Sequence, residues 1–361
     1  MSSQKALYLE KKNGAFVLRD RDIPALTASK PGSPVELLVK VHAAAANPID
    51  WKMQKFGLLL KDDQYPLIIG FDVAGEVMAI GEGGDNSAGF VVGDRILFQG
   101  TFGPRDDYAG YQQYAKAMAD VVSRIPKSVT YTQAASIPVG LSAAANGLFA
   151  GFPKGAGLNP TLDESIKYPN QPFLVVGGST SVGQYIISMS VIQLLRWSGF
   201  SPIVTYASAK HASHLKSLGA THVIDRTTIE LKDLPTEVKK ITQTPLTIVF
   251  DSVSAPETQA AGYACVADEG TLVVITPPSV QQQTPGKKVL FADGTVALNL
   301  AFGRNLFGKV ERWLENGTIV PNRIEELTNG LEGLQEAIER LGDGRVSGVK
   351  LVALPQETPS K

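Results

Sequence analysis

The sequence predicts an α/β protein in two parts, a β-rich domain and a doubly wound parallel sheet. Three observations carry that prediction. Residues 172–184 (PFLVVGGSTSVGQ) join a short apolar run to a glycine turn and a helix start. After Ser136, short apolar runs alternate with helical stretches, the βαβα order that builds a parallel sheet. Before that point, glycine and proline punctuate alternating runs at short intervals, as in a small barrel-like β domain. At 361 residues the chain is long for one hydrophobic core, in keeping with two domains.

Composition narrows the class. The chain is 43% hydrophobic and 19% charged, the balance of a soluble globular protein. A formal net charge of −1 gives no electrostatic reason to expect nucleic acid or an anionic membrane as partner. Cys265 is the only cysteine, so neither an intramolecular disulfide nor a thiolate metal cluster is expected. The opening MSSQKALYLEKKNG lacks an apolar stretch of signal-peptide length, and a cytoplasmic protein is expected.

Along the chain, residues 35–43 (VELLVKVHA), 70–80 (GFDVAGEVMAI) and 93–98 (GDRILF) read as strands, and 137–149 (IPVGLSAAANGLF) as a helix of small residues. Residues 151–171 form a Gly/Pro/Asn-rich insertion. The four apolar residues Phe173 to Val176 suit a strand buried on both faces. Gly177 and Gly178 turn the chain, and Ser179, Thr180, Ser181 and Val182 stand where a helix begins. Unpaired N–H groups and the helix dipole there favour an anion such as a phosphate. Further strands are expected at 202–207, 221–224, 246–250 and 271–275, with a closing strand at 349–353 and helices at 306–315 and 331–341. Residues 295–303 (TVALNLAFG) read as an edge strand of the parallel sheet.

Seven collinear segments, 44–57 (AAANPIDWKMQKFG), 70–77 (GFDVAGEV), 92–98 (VGDRILF), 134–144 (AASIPVGLSAA), 175–184 (VVGGSTSVGQ), 215–225 (LKSLGATHVID) and 344–352 (GRVSGVKLV), span nearly the whole chain. Together they resemble the zinc-independent quinone reductase and enoyl reductase branch of the medium-chain dehydrogenases/reductases, including fungal trans-acting enoyl reductases. The resemblance implies a GroES-like β-rich catalytic domain over 1–135, a Rossmann NADPH-binding domain over 136–303, and a return to the catalytic domain over 304–361. It implies that Lys52, Asn47 and Ser142 serve catalysis. It also implies that Pro48, Ile49, Asp50, Trp51, Val346 and Ser347 line the cofactor, with Ser179 to Val182 on its phosphates. Read as residues alone, Asp50 suits a cap or turn and Lys52 a surface turn.

Zinc-dependent members place a Cys within the position of Asn47 to Asp50 and a Gly-His-Glu where this chain has Gly70, Phe71 and Asp72. Without soft ligands a tetrahedral zinc site is not expected. His42, His214 and His222 have no metal-ligand spacing, and the G-x-S-x-G elbow of a hydrolase is missing. What remains is hydride transfer from a reduced nicotinamide to an activated C=C or a quinone. Cofactor choice follows from the second parallel strand, PIVTYASAKHASH, which carries no acid to hold a ribose 2′-OH. Ser208, Lys210 and His211 instead offer a hydroxyl and a cation suited to a 2′-phosphate, hence NADPH. The expected substrate is a small molecule or an acyl thioester, the latter with a carrier-protein partner of a polyketide synthase. A catalytically silent nucleotide-binding adaptor is the reading from another class, and either a monomer or a homodimer fits the pattern.

Overall fold

The computed structural model describes residues 3–101, 106–177, 184–281 and 284–359. In chain order the first elements are β1 (Ser3–Leu9), β2 (Phe16–Asp22), β3 (Glu36–Ala45), α1 (Pro48–Phe56), β4 (Leu67–Ile68), β5 (Asp72–Ile80), β6 (Arg95–Gln99), β7 (Tyr114–Met118), β8 (Val122–Arg124), α2 (Tyr131–Ala134) and α3 (Pro138–Phe149). They continue with β9 (Phe173–Val176), α4 (Gln184–Trp197), β10 (Ile203–Ala207), α5 (Ala212–Leu218), β11 (His222–Asp225), α6 (Leu234–Ile241), β12 (Ile248–Asp251), α7 (Pro256–Cys265), β13 (Thr271–Val274) and β14 (Lys288–Phe291). The chain closes with α8 (Leu300–Glu315), β15 (Ile324–Glu326), α9 (Gly333–Gly342) and β16 (Lys350–Ala353). Its contacts define two compact units. One comprises Met1–Val139, Asn299–Gly317 and Pro321–Lys361, the other Gly140–Leu298 and Thr318–Val320.

The first unit is GroES-like. A three-stranded antiparallel sheet, β2-β1-β4, accompanies a seven-stranded sheet in the order β15-β16-β3-β5-β6-β8, with β7 also paired to β3. Strand β3 alternates as a half-buried strand should: Leu37, Val39, Val41 and Ala43 are fully buried. The last strand of the chain, β16, enters this sheet between β15 and β3. Val352 stands opposite Ala45, and Lys350 opposite Ile324. A lysine is thereby delivered into the sheet interior.

The second unit is a Rossmann-type sheet of six parallel strands in the order β11-β10-β9-β12-β13-β14. Strand β9 is buried along its whole length, as its continuous apolar run requires. One core cluster joins Leu174 and Val176 to Val204, Tyr206, Val249, Leu272 and Val274. The strand order reverses between β9 and β12, where open α/β sheets bind ligands outside the carboxyl ends of the strands.

The edge of that sheet differs from the expectation. Residues 295–303 are not a strand: Val296–Leu298 form a single 3-10 turn and α8 starts at Leu300. The edge strand is β14. Phe302, Leu306, Val310 and Trp313 are buried at helical spacing, so the apolar run around 300 belongs to the buried stripe of α8.

Candidate active site

In the first unit the site is built on the start of α1. Asn47 has extended backbone (φ −127°, ψ 155°) and Pro48 opens the helix, where its missing N–H is no loss. The Asp50 carboxylate reaches back and accepts the Asn47 N–H at 2.7 Å through Oδ2. This is one half of a capping box. The same oxygen accepts the Tyr111 hydroxyl at 2.5 Å. Asp50 is fully buried and its Oδ1 has no partner among the described residues. Burial pushes its pKa up to about 7, against the lowering effect of Tyr111 and the Asn47 amide. Burial, reinforced by the Asp50 charge, raises Tyr111 well above the usual phenol value.

The Asn47 side chain turns the other way. Its Nδ2 donates to Asp72 Oδ2 at 2.9 Å, and its Oδ1 accepts Lys350 Nζ at 2.6 Å. Lys350 also pairs with Asp72 Oδ2 at 2.6 Å, and the second Asp72 oxygen accepts the Val139 N–H at 2.7 Å. Asp72 and Lys350 are both essentially without solvent exposure. A buried ion pair needs further hydrogen bonds to be tolerable, and here Lys350 has a second acceptor in Asn47 while both Asp72 oxygens are engaged. Asn47 is therefore engaged inside the unit on both amide atoms, and is placed to hold the start of α1.

Lys52 lies one turn along the same helix. It is half-buried, its ammonium has no hydrogen-bond acceptor or ion pair among the described residues, and burial lowers its pKa. Pro48, Ile49 and Trp51 are likewise half-buried. The Trp51 indole stacks edge-on with Phe56 and occupies the space a side chain at Gly342 would need. Val346 is buried and Ser347 exposed, just ahead of β16. Sequence reading singled out Asn47 and Lys52 but missed Lys350, Tyr111 and the pairing role of Asp72. The legible signal was a lone lysine inside the apolar run of the last strand.

In the second unit, Gly177 follows β9 with so little room that a Cβ would strike Ser188. Ser188 and Ser252 share a hydroxyl contact at 2.5 Å, and Ser252 Oγ donates to Val176 O at 2.9 Å. The carboxyl ends of β9 and β12 are thus tied together. Ser179, Thr180, Ser181 and Val182 lie outside the described residues. Ser142, on α3, is buried with its hydroxyl unpartnered among the described residues. Ser208 directly follows β10 and is buried, Lys210 is exposed, and His211 is half-buried in the 3-10 turn Ala209–His211. An acid does stand nearby. Asp225, at the end of β11, accepts the Thr227 N–H (3.1 Å) and hydroxyl (2.8 Å) and the Ala209 N–H (3.1 Å). These bonds, led by those from Thr227, hold its carboxyl below the usual range.

The described residues do not fit zinc. The acceptors Asn47 Oδ1 and Asp72 Oδ2 are taken by the Lys350 ammonium, a resident cation where a metal would need them. Among the described residues no group of three or more His, Cys, Asp or Glu is placed to hold a metal ion. They do fit a dinucleotide: a close-approach glycine ends β9 at the reversal point, and a hydroxyl and a cation follow β10. No helix among the described residues is long and apolar enough to cross a membrane.

Comparison with known proteins agrees with this arrangement. A family model described as an alcohol dehydrogenase GroES-like domain matches residues 33–127, and one described as a zinc-binding dehydrogenase matches 187–316. A zinc-type alcohol dehydrogenase-like protein of Schizosaccharomyces pombe is 29% identical over 96% of this chain and 99% of its own. The trans-enoyl reductase thnE of Trichoderma harzianum is 27% identical over 97% and 95%, and resD of Aspergillus sclerotiorum 29% over 94% and 96%. Among solved structures, an alcohol dehydrogenase superfamily protein of Novosphingobium aromaticivorans superposes with TM-score 0.76 at 22% identity over 97% and 99% of the two chains. A quinone oxidoreductase of Pseudomonas syringae pv. Tomato DC3000 gives 0.73 at 20% over 97% and 99%. A mycobacterial protein complexed with NADPH gives 0.71 at 22% over 98% and 100%.

Proposed function

Because this chain belongs to the medium-chain dehydrogenase/reductase superfamily, on its enoyl and quinone reductase branch, we propose that it is a zinc-independent, NADPH-dependent reductase of an activated C=C (enone or enoyl thioester) or a quinone. The fold implies a nicotinamide cofactor, which supplies the hydride when bound. The observation that carries the reading is Lys52, a half-buried ammonium without an acceptor among the described residues, which do not fit zinc. Such a donor can stabilise the oxygen of an α,β-unsaturated carbonyl as negative charge develops on it. It can equally hold a ribose hydroxyl or phosphate of the cofactor. Asn47, its amide engaged by Asp72 and Lys350, acts by fixing the helix that presents Lys52. Ser208 and Lys210 favour the 2′-phosphate of NADPH over NADH.

The test is NADPH oxidation by the purified protein with 1,4-quinones, simple enones and a crotonyl thioester. Turnover of none of these would leave the nucleotide-binding adaptor as the surviving reading. Lys52→Ala is expected to act mainly on NADPH Kd and KM, with a smaller effect on kcat. A fall in kcat of about 10²-fold with NADPH affinity intact would instead assign Lys52 to the transition state. Changes of less than about twofold in both, under 0.5 kcal/mol, would make it a surface lysine.

A second reading has its own support. Relatives named as trans-enoyl reductases align over nearly their full length, and in this reading the substrate is delivered on a carrier domain. A much higher kcat/KM for a crotonyl group on a polyketide synthase carrier domain than for the same thioester on a small thiol supports it. Equal values refute it.

A further inference from the structure

We infer that the loop following α1 is a contact for an anionic lipid surface, with Leu58 and Leu59 entering the bilayer interface and surrounding lysines meeting its headgroups. Three large apolar side chains face water here within four residues: Phe56 is 56% exposed, Leu58 41% and Leu59 60%. Exposed apolar residues scattered singly are ordinary, whereas a group of them at one loop tip marks an interaction site. Leu59 also has a positive φ of 65°, unfavourable for a leucine, and burial within its own unit does not offset it. The loop backbone suits an apolar surrounding, which penalises unpaired donors. The N–H groups of Gly57, Leu58 and Leu60 already donate to Met53 O (2.9 Å), Lys52 O (3.4 Å) and Gly57 O (3.0 Å).

Charge selects the kind of surface. Lys11, Lys12, Lys55 and Lys61 are exposed and form no ion pair among the described residues. The turn between β1 and β2 is fastened to the last turn of α1: the Asn13 N–H donates to Gln54 O at 2.6 Å, and Gln54 Nε2 to Gly14 O at 2.9 Å. The Lys12 stem therefore lies against the loop, where a Cβ at Gly57 would stand 3.2 Å from its Cδ. Lys55 belongs to the same helical turn, and Lys61 follows Leu59 by two residues. Glu336 and Glu339 of α9, which packs on α1, form no ion pair with these lysines among the described residues. Residues 11–14 and 51–65 carry five lysines against two acids, Asp62 and Asp63. The whole-chain charge of −1 averages over the full surface, whereas salt confines each charge to about 10 Å. The balance that gave no reason to expect a membrane thus conceals a cationic, apolar patch. Lysine stems can lie along a bilayer interface with their ammonium groups among anionic headgroups and the leucines beneath them. Such a contact is peripheral and needs no spanning helix.

The experiment measures cosedimentation of the full chain with vesicles of phosphatidylcholine alone and of an equal mixture with phosphatidylserine. The expected result is binding to the mixed vesicles that weakens with added salt, and little or none to phosphatidylcholine alone. Leu58→Ser combined with Leu59→Asn should weaken that binding about ten-fold or more, asparagine being tolerant of the positive φ. Lys12→Gln combined with Lys55→Gln should weaken it roughly ten-fold. Unfolding midpoints followed by circular dichroism should match the wild type, and either variant tests the inference if the other unfolds. Failure of the wild-type protein to sediment with the mixed vesicles, or equal sedimentation with both kinds, overturns the inference. Undiminished binding by both variants does the same. So does a wild-type protein that ignores the vesicles but binds an acidic acyl-carrier domain through Leu58 and Leu59, since the patch is then a protein interface.

Discussion

Asp50 shows how one side chain can matter through its proton. Both hydrogen bonds it accepts land on Oδ2. Its pKa is raised by burial to about 7, from an ordinary value near 4. The folded protein therefore keeps a proton there that the unfolded chain releases between about pH 4 and pH 7. Unfolding is favoured progressively as pH rises through that window, by at most about 1.4 kcal/mol per unit, and the effect is constant above it. Asparagine can place its oxygen at the Oδ2 position and keep both bonds. Urea unfolding from pH 5 to pH 8 should thus show wild-type stability falling relative to Asp50→Asn. Parallel curves for the two proteins would mean that Asp50 stays ionised in the fold.

At the scale of elements, the strand that matters most to the site is β16. It brings Lys350 between Asn47 and Asp72, and so links the last strand of its sheet to the cap of α1. Lys350→Met should destabilise the first unit by about 3–5 kcal/mol, because it leaves the Asp72 charge buried and uncompensated. Adding Asp72→Asn should recover part of that loss; a double variant as unstable as the single one would argue against the ion pair as the cause. Much of this level was legible in the sequence. Phe173 to Val176 read as a strand because a continuous apolar run between turn signals is what a doubly buried strand requires. Residues 295–303 misled because a short apolar run has no period of its own, and only the recurrence at 302, 306, 310 and 313 separates helix from strand. The partners of Lys350 were not legible, since they lie in other strands and become neighbours only through sheet order.

For the whole molecule, the two units differ in how the chain supplies them. The Rossmann-type unit is continuous apart from Thr318–Val320, whereas the GroES-like unit draws on three separate stretches. A chain ending at Gly348 retains every residue of the Rossmann-type unit but lacks β16. Limited proteolysis of that truncated protein should leave a resistant fragment from within 140–320 and degrade the N-terminal strands. Protection of residues 1–139 equal to that of the full chain would show that β16 is dispensable for their folding.

The Asn47–Lys350 bond also has a chronology, since its partners are 303 positions apart. At roughly 5–20 residues per second a ribosome needs on the order of 15–60 s to travel between them. For most of that interval Asp72 has been made and its counter-ion has not. The unit begun first is consequently the one completed last, and during synthesis its acidic core must stay hydrated, or guarded by a chaperone, until the final strand emerges.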